Sequence, residues 1–279
     1  MKVSIVAVKE FREKLLTRTF AVGTILCCLL IPTSVGTMVR LYNSRLQEYW
    51  KNSDKERHDM AETTSWTRLL GRGITLDRRP SPLLVLAAGV ERNMQSRVRL
   101  DGYWASAAYV GEPGGNPLLA VAANLDYEAV IRVVLSLLTI LLLHDSISGE
   151  KEGGTLRLLL TTGAPRDVLI LGKFLGGMAA AVTPFFVGTL LGLIVLVWTV
   201  PGEFTRDDAL RGLVLFGVAL LYIGAFALMS MVVSALCSRS STALTALLLV
   251  WIVLVLVVPK ASVLVARVAV KTKTEAQLS

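Results

Sequence analysis

The sequence predicts an all-α polytopic membrane protein, and three observations carry that prediction. Of the 279 residues, 53% are apolar and only 18% charged, whereas an ordinary soluble domain is about 25% charged. The apolar residues are gathered into long uncharged runs, at Thr19–Val39, Phe174–Trp198, Gly212–Ser238 and Ser240–Pro259. A helix crossing the ~30 Å hydrocarbon layer needs ~20 such residues. Between two of the long apolar segments stands one strongly polar interval, Asp145–Lys173, whose charges, glycines and leucines read as a docking surface rather than a plain connection.

Residues 1–18 carry Lys2, Lys9, Arg12, Lys14 and Arg18, while Val3, Ala7, Phe11 and Leu15 recur every four residues with Val8 beside them. That spacing puts an apolar stripe on one helical face and the cations on the other, as in a helix lying in the membrane interface. The basic stretch is too long for a cleavable signal peptide, and no A-x-A site follows it. The first crossing, within 19–39, then acts as a signal anchor with the N-terminus inside.

Residues 40–117 hold twelve basic and nine acidic residues and read as a small extracytoplasmic domain. Arginines on that side are tolerated because long loops translocate largely regardless of charge. Its start can continue as a helix out of the membrane. Pro80-Ser81-Pro82, Gly89 and the GEPGGNP stretch at 111–117 mark turns, and Arg97–Leu100 suits a short strand.

Transmembrane helices 2–5 fall within 118–258. In the second only Val133–Leu143 is free of charge, so it must begin near Tyr127 or earlier, with Glu128 and Arg132 at its outer end. Arg132 reads as a cation snorkelling to the headgroups, with a substrate contact as the alternative. The third crossing, about Val168–Trp198, contains Gly172-x-x-x-Gly176 and Gly188-x-x-x-Gly192, spacings that permit close helix approach, and Pro184 is placed to kink it. The fourth runs from about Leu210 to Leu236. The fifth runs from about Thr242 to Val258 and is expected to stop at Pro259-Lys260. The tail, 259–279, would lie outside, where Arg267, Lys271 and Lys273 are out of place by the positive-inside rule. A chain cut short before a sixth crossing, or a miscounted crossing, would account for this; the first is the preferred expectation.

The polar interval lies on the inner face by count of crossings. Glu150 and Glu152 suit the first turn of a helix, where the dipole favours anions. Leu156, Leu159 and Leu160 form a short apolar face, and Gly163 with Pro165 beyond it ends the helix. Packing of these leucines against the protein's own bundle is the alternative to a docking role. Gly172-Lys173 is not a phosphate-binding loop, since Phe174 follows it and Asp167 stands where the leading glycine would be.

Other classes fit less well. The net charge of +8 is that of basic residues flanking membrane spans, and no nucleic-acid-binding pattern accompanies it. Cys27, Cys28 and Cys237 read as small packing residues. His58 and His144, the two histidines, exclude a histidine-rich metal centre. Catalysis would need converging nucleophile, base or metal ligands, and His144 with Asp145, the nearest such pair, reads as a helix-end cap. A secondary transporter or channel would show intramembrane acids or an inverted repeat, and neither is visible.

The string Asp145-x-x-x-Gly149-Glu150-x-Glu152-x-Gly154-Thr155-Leu156-x-Leu158-Leu159-Leu160, followed by Pro165-Arg166 and Gly172-Lys173, resembles the membrane subunit of ABC-2-type exporters. The Pro80-Ser81-Pro82-Leu83…Gly89 passage and Leu125-Asp126-Tyr127 resemble a branch with a large first outer domain. The likeness covers most of 1–258 and is sharpest over 145–173. It implies a non-enzymatic permease of the inner (plasma) membrane with six crossings, of which this chain shows five. Two such chains, identical or different, would sit on two ATPase subunits and in contact with membrane lipids. It assigns the 144–168 loop a coupling helix at 150–163, with Glu150, Glu152, Gly154, Thr155, Leu156, Leu159 and Arg166 facing the ATPase. Asp145, Gly172 and Lys173 would be the helix-end hinges. No cofactor, catalytic group or metal is implied. The alternatives are an ATP-independent transporter or channel subunit, or a membrane-anchored assembly component.

Overall fold

Among the described residues, five helices are long and apolar enough to cross a membrane, spanning Arg18–Glu62, Tyr127–Glu152, Arg166–Thr199, Arg206–Leu236 and Ser240–Ser262. They match the five expected crossings. The computed structural model describes residues 3–62, 74–81, 85, 97–101, 106–109, 126–155, 165–199 and 206–269. The expected turns at 82, 89 and 111–117 and the leucines from 156 to 160 lie outside them.

Helix α1 (Val3–Leu15) precedes α2 (Arg18–Glu62), which is 45 residues long. At ~1.5 Å per residue, α2 measures roughly 67 Å, about twice the hydrocarbon thickness, so it continues well past Arg40, as its sequence predicted. Three strands follow, β1 (Ile74–Asp77), β2 (Arg97–Asp101) and β3 (Ser106–Tyr109), in one antiparallel sheet of order β1-β2-β3. Ile74 is paired with Leu100, and Val98 with Tyr109. The strand expected at Arg97–Leu100 is the central one. The all-α description therefore belongs to the membrane part, with a small sheet added between the first and second crossings.

The second crossing starts where Asp126 caps it, its carboxylate accepting from the Ala129 N–H at 2.8 Å. A turn of α3 (Tyr127–Ala129) leads into a π-helical segment, Val130–Leu135, and then α4 (Ser136–Leu143). Next come the short α5 (Ser148–Glu152), then α6 (Arg166–Thr199) and α7 (Arg206–Leu236). The last run is α8 (Ser240–Trp251), a second π segment (Ile252–Val257) and α9 (Val258–Ala269). The helix does not stop at Pro259 as expected. A proline removes one N–H and crowds the preceding turn, and the wider π turn just before it is the kind of local adjustment that lets a membrane helix accommodate one.

The chain forms two compact units. One comprises Cys28–Val130 and Val187–Gly217. Its core is Val35, Met38, Val39 and Tyr42 of α2 with Val85 and Leu196. Gly192 lies so close to α2 that a Cβ there would meet Val35 at 3.2 Å and Ile31 at 3.3 Å, the close approach expected of Gly188-x-x-x-Gly192. Asn52 donates to Asp77 at 3.0 Å, tying α2 to β1.

The other unit comprises Met1–Cys27, Ile131–Phe186 and Val218–Ser279. Ile140, Phe226, Leu247, Trp251 and Val255 form its core. The polar groups of Ser136, Tyr222 and Trp251 beside this core are matched. The Trp251 indole donates to Ser136 Oγ at 2.8 Å. The Ser136 and Tyr222 hydroxyls both donate to the Arg132 carbonyl, at 2.5 Å and 3.1 Å. That carbonyl belongs to the π segment, and the two hydroxyls supply the hydrogen bonding that hydrocarbon cannot.

Candidate functional site

The N-terminal helix docks on α6 through small residues. On α6, Leu169, Gly172, Lys173 and Gly176 fall on one face by their i, i+3, i+4, i+7 spacing. On α1, Val6, Glu10 and Lys14 fall on one face and are the buried residues of that helix. Val6 packs on Leu169 and Val168. A Cβ at Gly172 would come within 2.5 Å of Val6 Cβ, and one at Gly176 would strike the Ala7 carbonyl and reach Glu10 Cβ at 2.8 Å. The first Gly-x-x-x-Gly pair thus serves contact with the surface helix.

This docking corrects the expected orientation of α1. Lys9 and Arg12 are exposed as predicted, but Lys14 turns inward with Glu10, while Ile5, Val8 and Leu16 face outward. The four-residue recurrence located the helix, but the inward face lies beside that stripe. Charge partners on the body of the protein decide the difference.

Those partners are the residues of the polar interval. Lys173, only 7% exposed, binds Glu10 Oε2 at 2.9 Å and Glu150 Oε1 at 2.8 Å. Lys14 binds Asp145 Oδ1 at 2.6 Å and lies 3.9 Å from Glu10 Oε1. Glu10 bridges the two lysines. Four segments therefore meet in one network: α1, the turn after the second crossing, α5, and the start of the third crossing. Burying such charges is tolerable only because each lysine has two carboxylates. Around them is a pocket of about 260 Å³, whose lining also includes Glu13, Ser146 and Thr155.

The short helix α5 also grips the turn between the fourth and fifth crossings. Ser234 Oγ accepts from the Ile147 and Ser148 N–H groups at 3.1 Å and 2.9 Å. The Lys151 ammonium donates to the Ala235 carbonyl and, at 3.2 Å, to that of Cys237. Glu152 Oε2 accepts from the Ser240 N–H at 3.1 Å and its hydroxyl at 2.7 Å. A cation thus sits at the C-terminus of α7 and an anion at the N-terminus of α8, where orphan backbone groups and helix dipoles favour each.

The sequence-predicted site residues separate into groups. Asp145, Glu150, Gly172 and Lys173 come together in the network. Glu152 is engaged with Ser240, and Gly154, Thr155 and Arg166 are exposed. Leu156 and Leu159 lie outside the described residues. The continuous helix expected over 150–163 is broken: α5 ends at Gly153, whose N–H bonds the Gly149 carbonyl at 2.9 Å, and Gly154 has φ of +70°. Two glycines permit this left-handed stop, which a side chain would resist. His144 keeps its Nδ1 3.0 Å from the Leu141 carbonyl, a local contact rather than a pair with Asp145. Sequence reasoning missed Glu10 and Lys14. Their i, i+4 spacing was visible, but nothing local distinguishes an inward pair from a solvated one.

Five apolar spans, four of them tied at one polar cluster, define a multi-pass α-helical membrane protein. The chain belongs to the ABC-2 family of transporter proteins, whose profile matches residues 4–277. It is similar to a probable ABC transporter permease protein NosY of Pseudomonas aeruginosa, 36% identical over 127 residues, covering 42% of this chain and 46% of that protein. It is also similar to the protein of the same name in Stutzerimonas stutzeri, 38% identical over 94 residues, covering 34% of this chain and 30% of the relative. The matched stretches span less than half of either relative.

Proposed function

We propose that the chain is the permease subunit of an ATP-driven ABC-2-type exporter, and that α5 with the exposed residues after it couples a separate ATPase to the membrane helices. Membership of the ABC-2 family and the likeness to two permease proteins support the class. The observation that carries the coupling role is the double engagement of α5. It is held by the Glu150–Lys173 ion pair to α6, which Glu10 of α1 shares, on one side and by helix-end hydrogen bonds to α7 and α8 on the other. A push at Gly154–Thr155 would therefore reach the second to fifth crossings at once, the fourth and fifth in addition to the two it joins in sequence. ATP binding in the partner would select one of two global arrangements by its differential contacts with them. In this reading the N-terminus and α5 are cytosolic, residues 40–117 are extracytoplasmic, the protein resides in the inner membrane, and a second permease chain completes the pathway.

A photo-crosslinking residue at Thr155, in a chain co-purified with its ATPase, is expected to capture that ATPase, whereas the same residue at exposed Lys55 captures nothing. Capture at Lys55 and not at Thr155 would reject the coupling assignment.

A further inference from the structure

The pocket beside the ion network has more negative than positive charge and two buried polar atoms without partners. Four carboxylates, Glu10, Glu13, Asp145 and Glu150, line it, against Lys14 and Lys173, and Glu13 also faces the exposed Lys9 at 3.5 Å on its own helix, which leaves a net negative charge. Among the described residues, Ser146 Oγ and Glu150 Oε2 are buried with no hydrogen-bond partner, and Ser146 is only 3% exposed. A buried carboxylate oxygen accepts and cannot donate, and leaving it unpaired is costly. The missing group is therefore a donor, and the charge balance makes it a cation. At about 260 Å³ the space holds one guanidinium or ammonium head with ordered water, and falls below the ~300–1,000 Å³ of pockets for drug-sized ligands. Every lining residue is polar or glycine, and six of them are charged, so the pocket offers its specificity to a charged head rather than to an acyl chain. The exposed rim is formed by Glu13 and Thr155, on α1 and just beyond α5.

We infer that this pocket receives one arginine or lysine side chain of the partner ATPase, which completes the charge network between α1 and α5. The inference rests on the coupling role proposed above. It makes α1 part of the recognition surface, and it gives the ATPase a contact that reads charge as well as shape. Interfacial charge pairs of this kind set partner choice more than gross affinity.

The test uses the full chain in nanodiscs of phosphatidylethanolamine and phosphatidylglycerol, titrated with its ATPase. Glu13→Lys is expected to weaken binding at least about tenfold, and Glu13→Gln by less than about threefold. Replacing the ATPase's surface lysines and arginines one at a time by glutamate is expected to yield one variant that restores binding to Glu13→Lys. Unchanged thermal midpoints would show that the variants still fold. If no ATPase variant restores binding while the Thr155 crosslink persists, the cation inference falls and the coupling role stands. If Thr155 captures no ATPase in the unvaried chain, both fall. If the Glu13→Lys effect disappears in discs of phosphatidylglycerol alone, the occupant is the lipid amine and the inference is overturned.

Discussion

Lys173 shows how much depends on a single ammonium group. It stands at the start of an apolar helix, 7% exposed, and neutralises Glu10 and Glu150 together. Removing it leaves the buried Glu10 and the largely enclosed Glu150 without their shared cation, and only Glu10 keeps a lysine, Lys14, at 3.9 Å. Breaking a buried pair from one side costs about 3–5 kcal/mol because the remaining charge is uncompensated. Lys173→Met is accordingly expected to lower the thermal midpoint in detergent sharply, and adding Glu10→Gln and Glu150→Gln to restore much of it. A triple variant no more stable than the single one would show that the pairs do not hold this end of the bundle. The polarity of Lys173 was legible in the sequence, as was its place beside Gly172. Its partners were not, because Glu10 stands 163 residues away along the chain.

At the scale of elements, two attachments of different kinds hold the polar interval. The contact of α1 with α6 is steric as well as ionic, since lipid supplies no hydrophobic force between helices and small residues must bring them close. Gly176→Ala would drive a methyl group into the Ala7 carbonyl. Overpacking of this sort costs about 1–3 kcal/mol, and here it falls on the docking of a single helix. Faster backbone hydrogen exchange over residues 3–15, with exchange in α7 and α8 unchanged, is the expected result. The grip of α5 on the α7–α8 turn depends instead on exposed hydrogen bonds. Glu152→Gln keeps the shape but weakens the acceptor, so the Ser240 amide is expected to exchange faster while overall stability hardly moves. An unchanged Ser240 amide would mean that Glu152 does not cap α8 in solution. The glycines and acids behind these attachments were visible in the sequence. That the expected 150–163 helix breaks at Gly153-Gly154 was open to inference from the glycine pair, but the leucines beyond it favoured one unbroken helix.

For the molecule as a whole, the arrangement links every span of the second to fifth crossings to one short helix of five residues. Such a hub suits a protein that must convert a push at one face into a concerted change of its membrane helices. The proposed coupling role would place α5 and the far end of α2 on opposite sides of the membrane. Single cysteines at Lys55 and at Thr155, in a chain with Cys27, Cys28 and Cys237 replaced by alanine, test this with a membrane-impermeant maleimide. Lys55→Cys is expected to label in intact cells and Thr155→Cys only after permeabilisation. The reverse pattern would invert the topology, and with it the assignment of the ATPase to the α5 side.

The sequence by itself determined the class, the number of spans in the described chain and the extent of most helices. These follow from local quantities: the length of apolar run that hydrocarbon demands, and the charge pattern that lets α2 leave the membrane. It also marked Asp145–Lys173 as the segment unlike the rest. Tertiary structure alone decided which face of α1 turns inward, that Glu10 bridges Lys14 and Lys173, and that Lys151 and Glu152 hold the ends of α7 and α8. The physical reason is that an ionisable side chain has no preferred partner until the fold removes its water. Only then does the cost of leaving it unpaired select among groups far apart in the chain.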